Sequence, residues 1–141
     1  MRRSLLLAPL AVVLVIAGCH KSAGSAAEMA APSGPVEPVD VTPARIALGD
    51  SLYHNGACQR CHGATAGGAQ NGPSLIAGPW LHSTGKYEEI VATITNGVPR
   101  TALKDQTRRF PMNPRGGPMN LDDEQVKALA AYVYSISRDK K

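Results

Sequence analysis

The sequence predicts an all-α domain: three to four short helices and long loops, wrapped around a bound group. Three observations point there. The stretches 87–94 and 126–133 set apolar residues at the i, i+3, i+4, i+7 steps of a helix, and no stretch alternates as a half-buried strand does. The connections are rich in glycine and proline, and loops of their length usually need a staple or a ligand to hold them. Aromatic residues make up only 4% of the 141-residue chain, with one Trp and one Phe, which is thin for a self-sufficient core. The length suits one domain and no more.

Taken from its start, the chain opens with an export signal. Arg2 and Arg3 form a basic n-region, and Leu5 to Ile16 is an apolar stretch broken only by Pro9. It is too short to span a bilayer comfortably but right for an h-region. The stretch ends in Ile16-Ala17-Gly18-Cys19, which resembles a bacterial lipoprotein cleavage motif. The expectation is a signal peptide over 1–18 and lipid on Cys19. An ordinary signal or an uncleaved anchor are the alternatives. Two or more acyl chains give stable anchoring. Removing residues 1–18 takes away Arg2 and Arg3, two of the 15 basic residues, and none of the 11 acidic ones, so the formal charge falls from +4 to +2. That balance, with no basic–aromatic stripe, argues against nucleic acid. From Cys19 to Thr42 the composition is Ala, Ser, Gly, Pro and Val without a period, which reads as a lipidated flexible tether with a coil reach of roughly 25 Å.

The folded domain is expected over 43–141. Pro43 suits the first turn of a helix over about Ala44 to Asn55, with Ile46, Gly49 and Tyr53 on one side. A helix-interior glycine costs about 1 kcal/mol against alanine, so Gly49 suggests a close helix crossing, with a merely tolerated glycine as the alternative. Next come Cys58-Gln59-Arg60-Cys61-His62, a C-x-x-C-H motif and the attachment signature of c-type haem. On a helix the two thiols and the imidazole share one face. The thiols can form thioethers to the two haem vinyl groups, and His62 can then lie under the iron as proximal ligand. A dithiol site would want a βαβ setting, and a structural zinc site four ligands; only His54 stands nearby as a fourth. Cysteine arithmetic closes on haem: of three cysteines, Cys19 goes to lipid and Cys58 and Cys61 to the macrocycle.

After His62 the chain is loop-like, with Leu75, Ile76 and Trp80 available to cover a ligand. A helix is expected over about Lys86 to Asn96, with Tyr87, Ile90, Val91 and Ile94 inward and Glu88 and Glu89 in the first turn, where the helix dipole favours acids. Asn96-Gly97 and Pro99 end it. Residues 99–120 carry Arg100, Lys104, Arg108, Arg109 and Arg115 against one acid, Asp105. The last helix is expected over Asp122 to about Arg138, opened by a capping box of Asp122 with Gln125, with Val126, Leu129, Ala130 and Val133 as its buried stripe.

In this order the residues resemble a class I cytochrome c domain: Gly49 and Tyr53, then Cys58-Gln59-Arg60-Cys61-His62-Gly63, Gly72-Pro73-Ser74-Leu75 and Trp80. They continue with Asn96-Gly97-Val98-Pro99, Met112-Asn113-Pro114-Arg115-Gly116-Gly117 and Leu129-Ala130-Ala131-Tyr132-Val133. The domain is similar to small single-haem bacterial carriers with an M-P-P-R/K-G-G ligand loop, with Asn113 where proline is usual. The resemblance implies the class I cytochrome c fold around one covalent haem c. It implies that the Pro73 carbonyl accepts a hydrogen bond from His62, that Leu75 packs on the macrocycle and that Trp80 lies near a propionate. Gly49 and Tyr53 would meet the last helix near Leu129 and Tyr132. Met112 matches the distal iron ligand, Met119 being the second choice; His54 and His82 offer a bis-histidine alternative.

No acid–base pair or nucleophile accompanies the haem motif. The function expected is therefore electron transfer rather than catalysis, by a single-haem carrier exported and lipid-anchored, facing the periplasm or cell exterior. Its partners would be redox proteins, an oxidase, reductase or dehydrogenase, with acidic docking faces that the basic 100–115 loop could steer. The alternatives are an open-site haem protein binding a gas or peroxide, and a fixed redox subunit of a larger membrane enzyme.

Overall fold

The computed structural model describes residues 37–138. The signal sequence, Cys19 and most of the tether lie outside them. The described elements are α1 (Pro43–Asn55), α2 (Cys58–His62), α3 (Tyr87–Asn96), two 3₁₀ segments (Arg100–Ala102 and Pro114–Met119) and α4 (Asp123–Arg138). Among the described residues there is no strand, only two isolated bridges, Ala69 with Gly72 and Val98 with Met112. No described helix is long and apolar enough to cross a membrane.

The helices start one residue away from expectation because their caps decide the boundary. Thr42, read as the last tether residue, is the N-cap of α1, its Oγ1 accepting from the Arg45 N–H at 3.3 Å, and Pro43 is the first helical residue. A free first-turn N–H satisfied by a hydroxyl is what fixes a helix start. The capping box at α4 is reciprocal. Gln125 N–H donates to Asp122 Oδ1 at 2.8 Å, and Asp122 N–H donates to Gln125 Oε1 at 3.1 Å. Asp122 is therefore the cap and α4 begins at Asp123. Lys86 occupies the N-cap position of α3 without a side-chain cap, its carbonyl accepting from the Ile90 N–H at 3.0 Å, and the helix begins at Tyr87.

The core is built on α4. Its Val126, Leu129, Ala130 and Val133 are all buried, joined by Ala128 and Ala131, and the alanines are small enough for another helix to approach closely. Helix α1 crosses there. A methyl on Gly49 would collide with the Ala128 carbonyl and stand 2.7 Å from Tyr132 Cβ. The expected contact with α4 is thus found, centred on Ala128 and Tyr132 rather than Leu129. Tyr53, fully buried, packs on Tyr132 at 5.4 Å between ring centroids. Arg45 reaches from α1 to Glu124 Oε2 at 2.7 Å. Helix α3 packs on α4 through Tyr87, edge-on to Tyr134 at 6.2 Å, and through Ile90 and Ile94.

The 99–120 loop is more ordered than its lack of period suggests. Val98 and Met112 exchange both backbone hydrogen bonds, at 2.7 and 3.0 Å. Beyond Pro114, three consecutive residues, Arg115, Gly116 and Gly117, take positive φ (51°, 70° and 61°). Such a run reverses the chain tightly. Glycine adopts it freely, whereas Arg115 is strained there. Its guanidinium compensates by binding Leu121 O at 2.9 Å and Asp123 Oδ1 at 2.7 Å.

Gly49→Ala tests the crossing. Replacing a helix-interior glycine gains about 1 kcal/mol, while overpacking against a rigid backbone costs about 1–3 kcal/mol or more. Urea unfolding should show a net loss of about 1–2 kcal/mol. A gain in stability would mean that α1 and α4 separate readily.

Candidate functional site

The site grows from the joint between α1 and α2. Gly56 and Ala57 turn the chain so that Cys58–His62 begins a new, short helix, with Gln59 Nε2 tied back to the His54 carbonyl. The conditional expectation of a helical motif therefore holds. Cys58 and Cys61 carry free thiols, and with His62 they line one cleft. Burial pushes the Cys58 thiol above its ordinary range.

His62 is held by the loop that follows it. Its Nδ1 lies 2.9 Å from the Pro73 carbonyl oxygen, which can only accept, so Nδ1 carries the proton and Nε2 keeps its lone pair. Burial, with the Arg108 charge adding to it, pushes His62 below the usual histidine range against the pull of the Pro73 carbonyl. The ring is thus neutral, oriented and a ready metal ligand. Gly72 permits this approach, because a methyl there would meet Cys61 O at 2.6 Å and His62 Nδ1 at 2.9 Å. The loop itself is fixed by backbone bonds: Gly68 N–H to His62 O at 2.8 Å and Leu75 N–H to Ala66 O at 2.8 Å. The buried Tyr53 hydroxyl donates to Gly63 O at 2.6 Å, joining α1 to the same loop.

The rest of the cleft comes from the loops and from α3 and α4. Leu75 and Trp80 from the loop, Ile90 and Ile94 from α3, and Leu129 and Val133 from α4 make it chiefly apolar. Val98, Pro111 and Met112 continue the lining, with Met112 held by its backbone pair to Val98. Gly97, at φ 66°, leaves room for that pair: a methyl would stand 2.6 Å from Pro114 N. Cys58, Cys61, His62, Pro73, Leu75, Trp80 and Met112 are therefore brought to one cleft, whereas Ile76, which the sequence also offers as cover for a ligand, is not in its lining. Met119 is turned elsewhere, its sulfur against Gly56 and 3.3 Å from the Ala57 nitrogen.

These residues fit a haem. Two thiols, one neutral imidazole and one thioether converge on an apolar slot, a donor set suited to covalent porphyrin and six-coordinate iron. Asn71 adds a polar group that sequence reasoning missed: its buried Oδ1 has no hydrogen-bond partner among the described residues, and the residue lines the slot. A lone Asn in a loop carries no periodic signal.

The two spare histidines separate. His82 is exposed although it lines the cleft, and slight desolvation, with the Lys104 charge adding to it, pushes its pKa down. His54 instead clamps backbone. Its Nδ1 faces Asp50 O at 3.0 Å and its Nε2 faces Ala64 O at 2.9 Å, and those two carbonyls push its pKa up. Both nitrogens can donate only in the imidazolium. Of the basic loop, Arg100 binds the carbonyls of Gln106 and Arg108, and Arg108 pairs with Asp105 at 3.0 Å and reaches Ala69 O at 3.1 Å. Arg115 is committed to α4. Lys104 and Arg109 make no such bond within the described residues, and Arg109 lies over the ring of the exposed Phe110. Of the five cations of the expected steering loop, Arg108 and Arg115 are thus paired with acids, while Arg100, whose partners are neutral carbonyls, Lys104 and Arg109 have no acidic partner among the described residues.

His54 makes stability depend on pH. Because its folded pKa is raised above 6.5, its contribution is complete below that value and is lost as pH rises through the folded pKa. The difference in thermal midpoint between the wild type and His54→Gln should be largest in acid and shrink on the alkaline side. A difference that does not vary with pH would remove the imidazolium from the clamp.

Comparison with known proteins agrees with this geometry. Residues 44–133 match the family model described as cytochrome C oxidase, cbb3-type, subunit III. The cbb3-type cytochrome c oxidase subunit CcoP of Rubrivivax gelatinosus is 35% identical over 105 residues, covering 74% of this chain and 30% of that protein. The corresponding subunit of Rhodobacter capsulatus is 36% identical over 90 residues, covering 57% of this chain and 27% of its own length. The chain thus spans about 30% of the length of these curated relatives. Among solved structures, cytochrome CL from Methylophaga aminisulfidivorans MPT aligns with a TM-score of 0.52 at 26% identity, over 72% of this chain and 61% of that one.

Proposed function

The chain belongs to the family of the cbb3-type cytochrome c oxidase subunit III, and from that premise we propose that it relays single electrons as a haem-bearing redox subunit docked to a membrane oxidase. Its fold is that of a class I cytochrome c, its cofactor class is haem c and its activity class is electron transfer. In this reading the chain holds a single haem through one histidine and one methionine.

The observation that carries the reading is the His62–Pro73 hydrogen bond in a cleft that also holds two free thiols and Met112. Bound there, haem c supplies a one-electron ferrous–ferric couple. The residues do the rest. Cys58 and Cys61 fix the macrocycle covalently, and His62 presents Nε2 as the proximal ligand. Met112, in the M-x-P-R-G-G loop, offers its thioether as the distal one, which closes the site to exogenous ligands and raises the potential. Leu75, Ile90 and Leu129 exclude water. Lys104, Arg109 and Phe110 form a small apolar–cationic face beside the cleft, suited to an acidic partner.

Optical spectra of the haem-loaded protein test the ligand pair. The ferric form should show a far-red sulfur-to-iron band, and carbon monoxide should leave the ferrous spectrum unchanged on mixing, entering only slowly as Met112 withdraws; Met112→Ala should abolish the band and admit carbon monoxide at once. A wild type that binds carbon monoxide without a sulfur band would make this an open-site haem protein.

A second reading, a free carrier on a lipidated tether, is favoured by Ile16-Ala17-Gly18-Cys19. Native electrophoresis of mildly solubilised membranes separates the two. As a docked subunit, the chain should co-migrate with oxidase activity. Migration as a small haem-staining band, released from membranes only by detergent and lost on Cys19→Ala, would give the carrier.

A further inference from the structure

We propose that Met119 is a positioning residue, a thioether strut that ties the loop bearing Met112 to the residue just before the haem-attachment turn. The proposal rests on Met112 being the distal ligand, as argued above.

Met119 makes two unusual approaches for a methionine that only fills space. Its sulfur accepts a hydrogen bond from the Ala57 N–H at 3.3 Å. Ala57 caps α2 and directly precedes Cys58, and no side chain of its own caps that helix end. Amides at a helix start need an acceptor, and here the thioether provides one across 62 residues of sequence. The same sulfur lies between two glycines. A methyl on Gly56 would run into Met119 Sδ and Cε, and one on Gly116 would stand 3.1 Å from Sδ and 3.3 Å from Cβ. Gly56 belongs to the α1–α2 joint and Gly116 to the left-handed turn of the ligand loop. The thioether is therefore gripped from both elements it connects. A polarizable sulfur suits the slot because it accepts weakly and packs tightly at once.

The start of the ligand loop is pinned where Met112 pairs with Val98, its middle where Arg115 binds Leu121 O, and its end where Met119 meets Ala57. The first two anchors join the loop to the ends of α3 and α4. Of the three, the last alone joins it to the helix that carries Cys58, Cys61 and His62. Met119 thus sets the spacing between the two sides of the cleft, and removing its acceptor lets Met112 withdraw more often.

The test uses the full-length, haem-loaded protein with Met119→Leu, which keeps bulk and removes the acceptor, and Met119→Gln, whose carbonyl can take the same N–H. A hydrogen bond of ordinary net strength corresponds to a change of about three- to tenfold. In Met119→Leu the Ala57 amide should exchange faster by that factor, carbon monoxide should bind the ferrous form correspondingly faster, and the sulfur band should persist at neutral pH. Met119→Gln should bring both rates back toward wild type. An Ala57 amide and a carbon monoxide rate indifferent to Met119→Leu would reduce the side chain to packing and overturn the proposal. Failure of the ligand reading looks different: the sulfur band would survive Met112→Ala, and its loss in Met119→Leu instead would make Met119 the ligand.

Discussion

The contact on which the rest depends is the crossing of α1 over α4 at Gly49. With no side chain there, the α1 backbone rests on the Ala128 carbonyl, and Tyr53, one turn later, is driven fully under cover. That depth has two effects. It lets the Tyr53 hydroxyl reach Gly63 O, so the loop after the haem motif is tied to the core by its first residue. It also fixes where α1 ends, and since only Gly56 and Ala57 intervene before α2, it fixes where Cys58, Cys61 and His62 face. Separation of the two helices would move all three.

The cleft that results is assembled by loops more than by helices, which explains the thin composition. Helices α3 and α4 offer a buried stripe, and much of the remaining cleft wall is loop. Pro73 holds His62, Val98 holds Met112, and Ala66 receives Leu75. Each is a backbone carbonyl or amide in a fixed turn. Rigidity here comes from hydrogen-bonded peptide groups, which cost dearly if left unpaired in an apolar setting, and not from secondary structure. A family member built this way can hold a large flat cofactor with few aromatic residues of its own.

This division also explains what was legible in the sequence. The helices of regular period, the capping box at Asp122 and the attachment motif are local patterns, and each lies within a residue of its expected place. Gly49 by itself reads equally as a tolerated glycine, and it is the resemblance that makes it a crossing. The Pro73, Leu75, Trp80 and Met112 positions came from resemblance, and the cleft brings them together. What stayed hidden depends on distant partners. Thr42 reads as tether because a single hydroxyl cap carries no period. Arg115 counted as a surface charge, yet its guanidinium is used within the fold to offset a strained backbone. Asn71 and the slot that takes Met119 involve residues far apart in the chain, and no spacing rule joins them.

The two methionines show why a repeated Pro-Met pair need not be redundant. An electron carrier works best when its metal surroundings barely move between oxidation states, because a pre-organised environment has little left to rearrange. A ligand loop without α-helix or strand can meet that demand only through anchors. The loop from Met112 to Met119 has one at each end and a third at Arg115, and each anchor uses a different group: a peptide pair, a guanidinium and a thioether. Of these, the thioether reaches the haem-attachment turn. A loop secured at one end would pivot about Val98 and open the cleft. Secured at both, it can change only by breaking contacts on two elements at once. The proposed ligand, Met112, and the proposed strut, Met119, then act as a pair, and the turn of left-handed residues between them sets the distance that each must span.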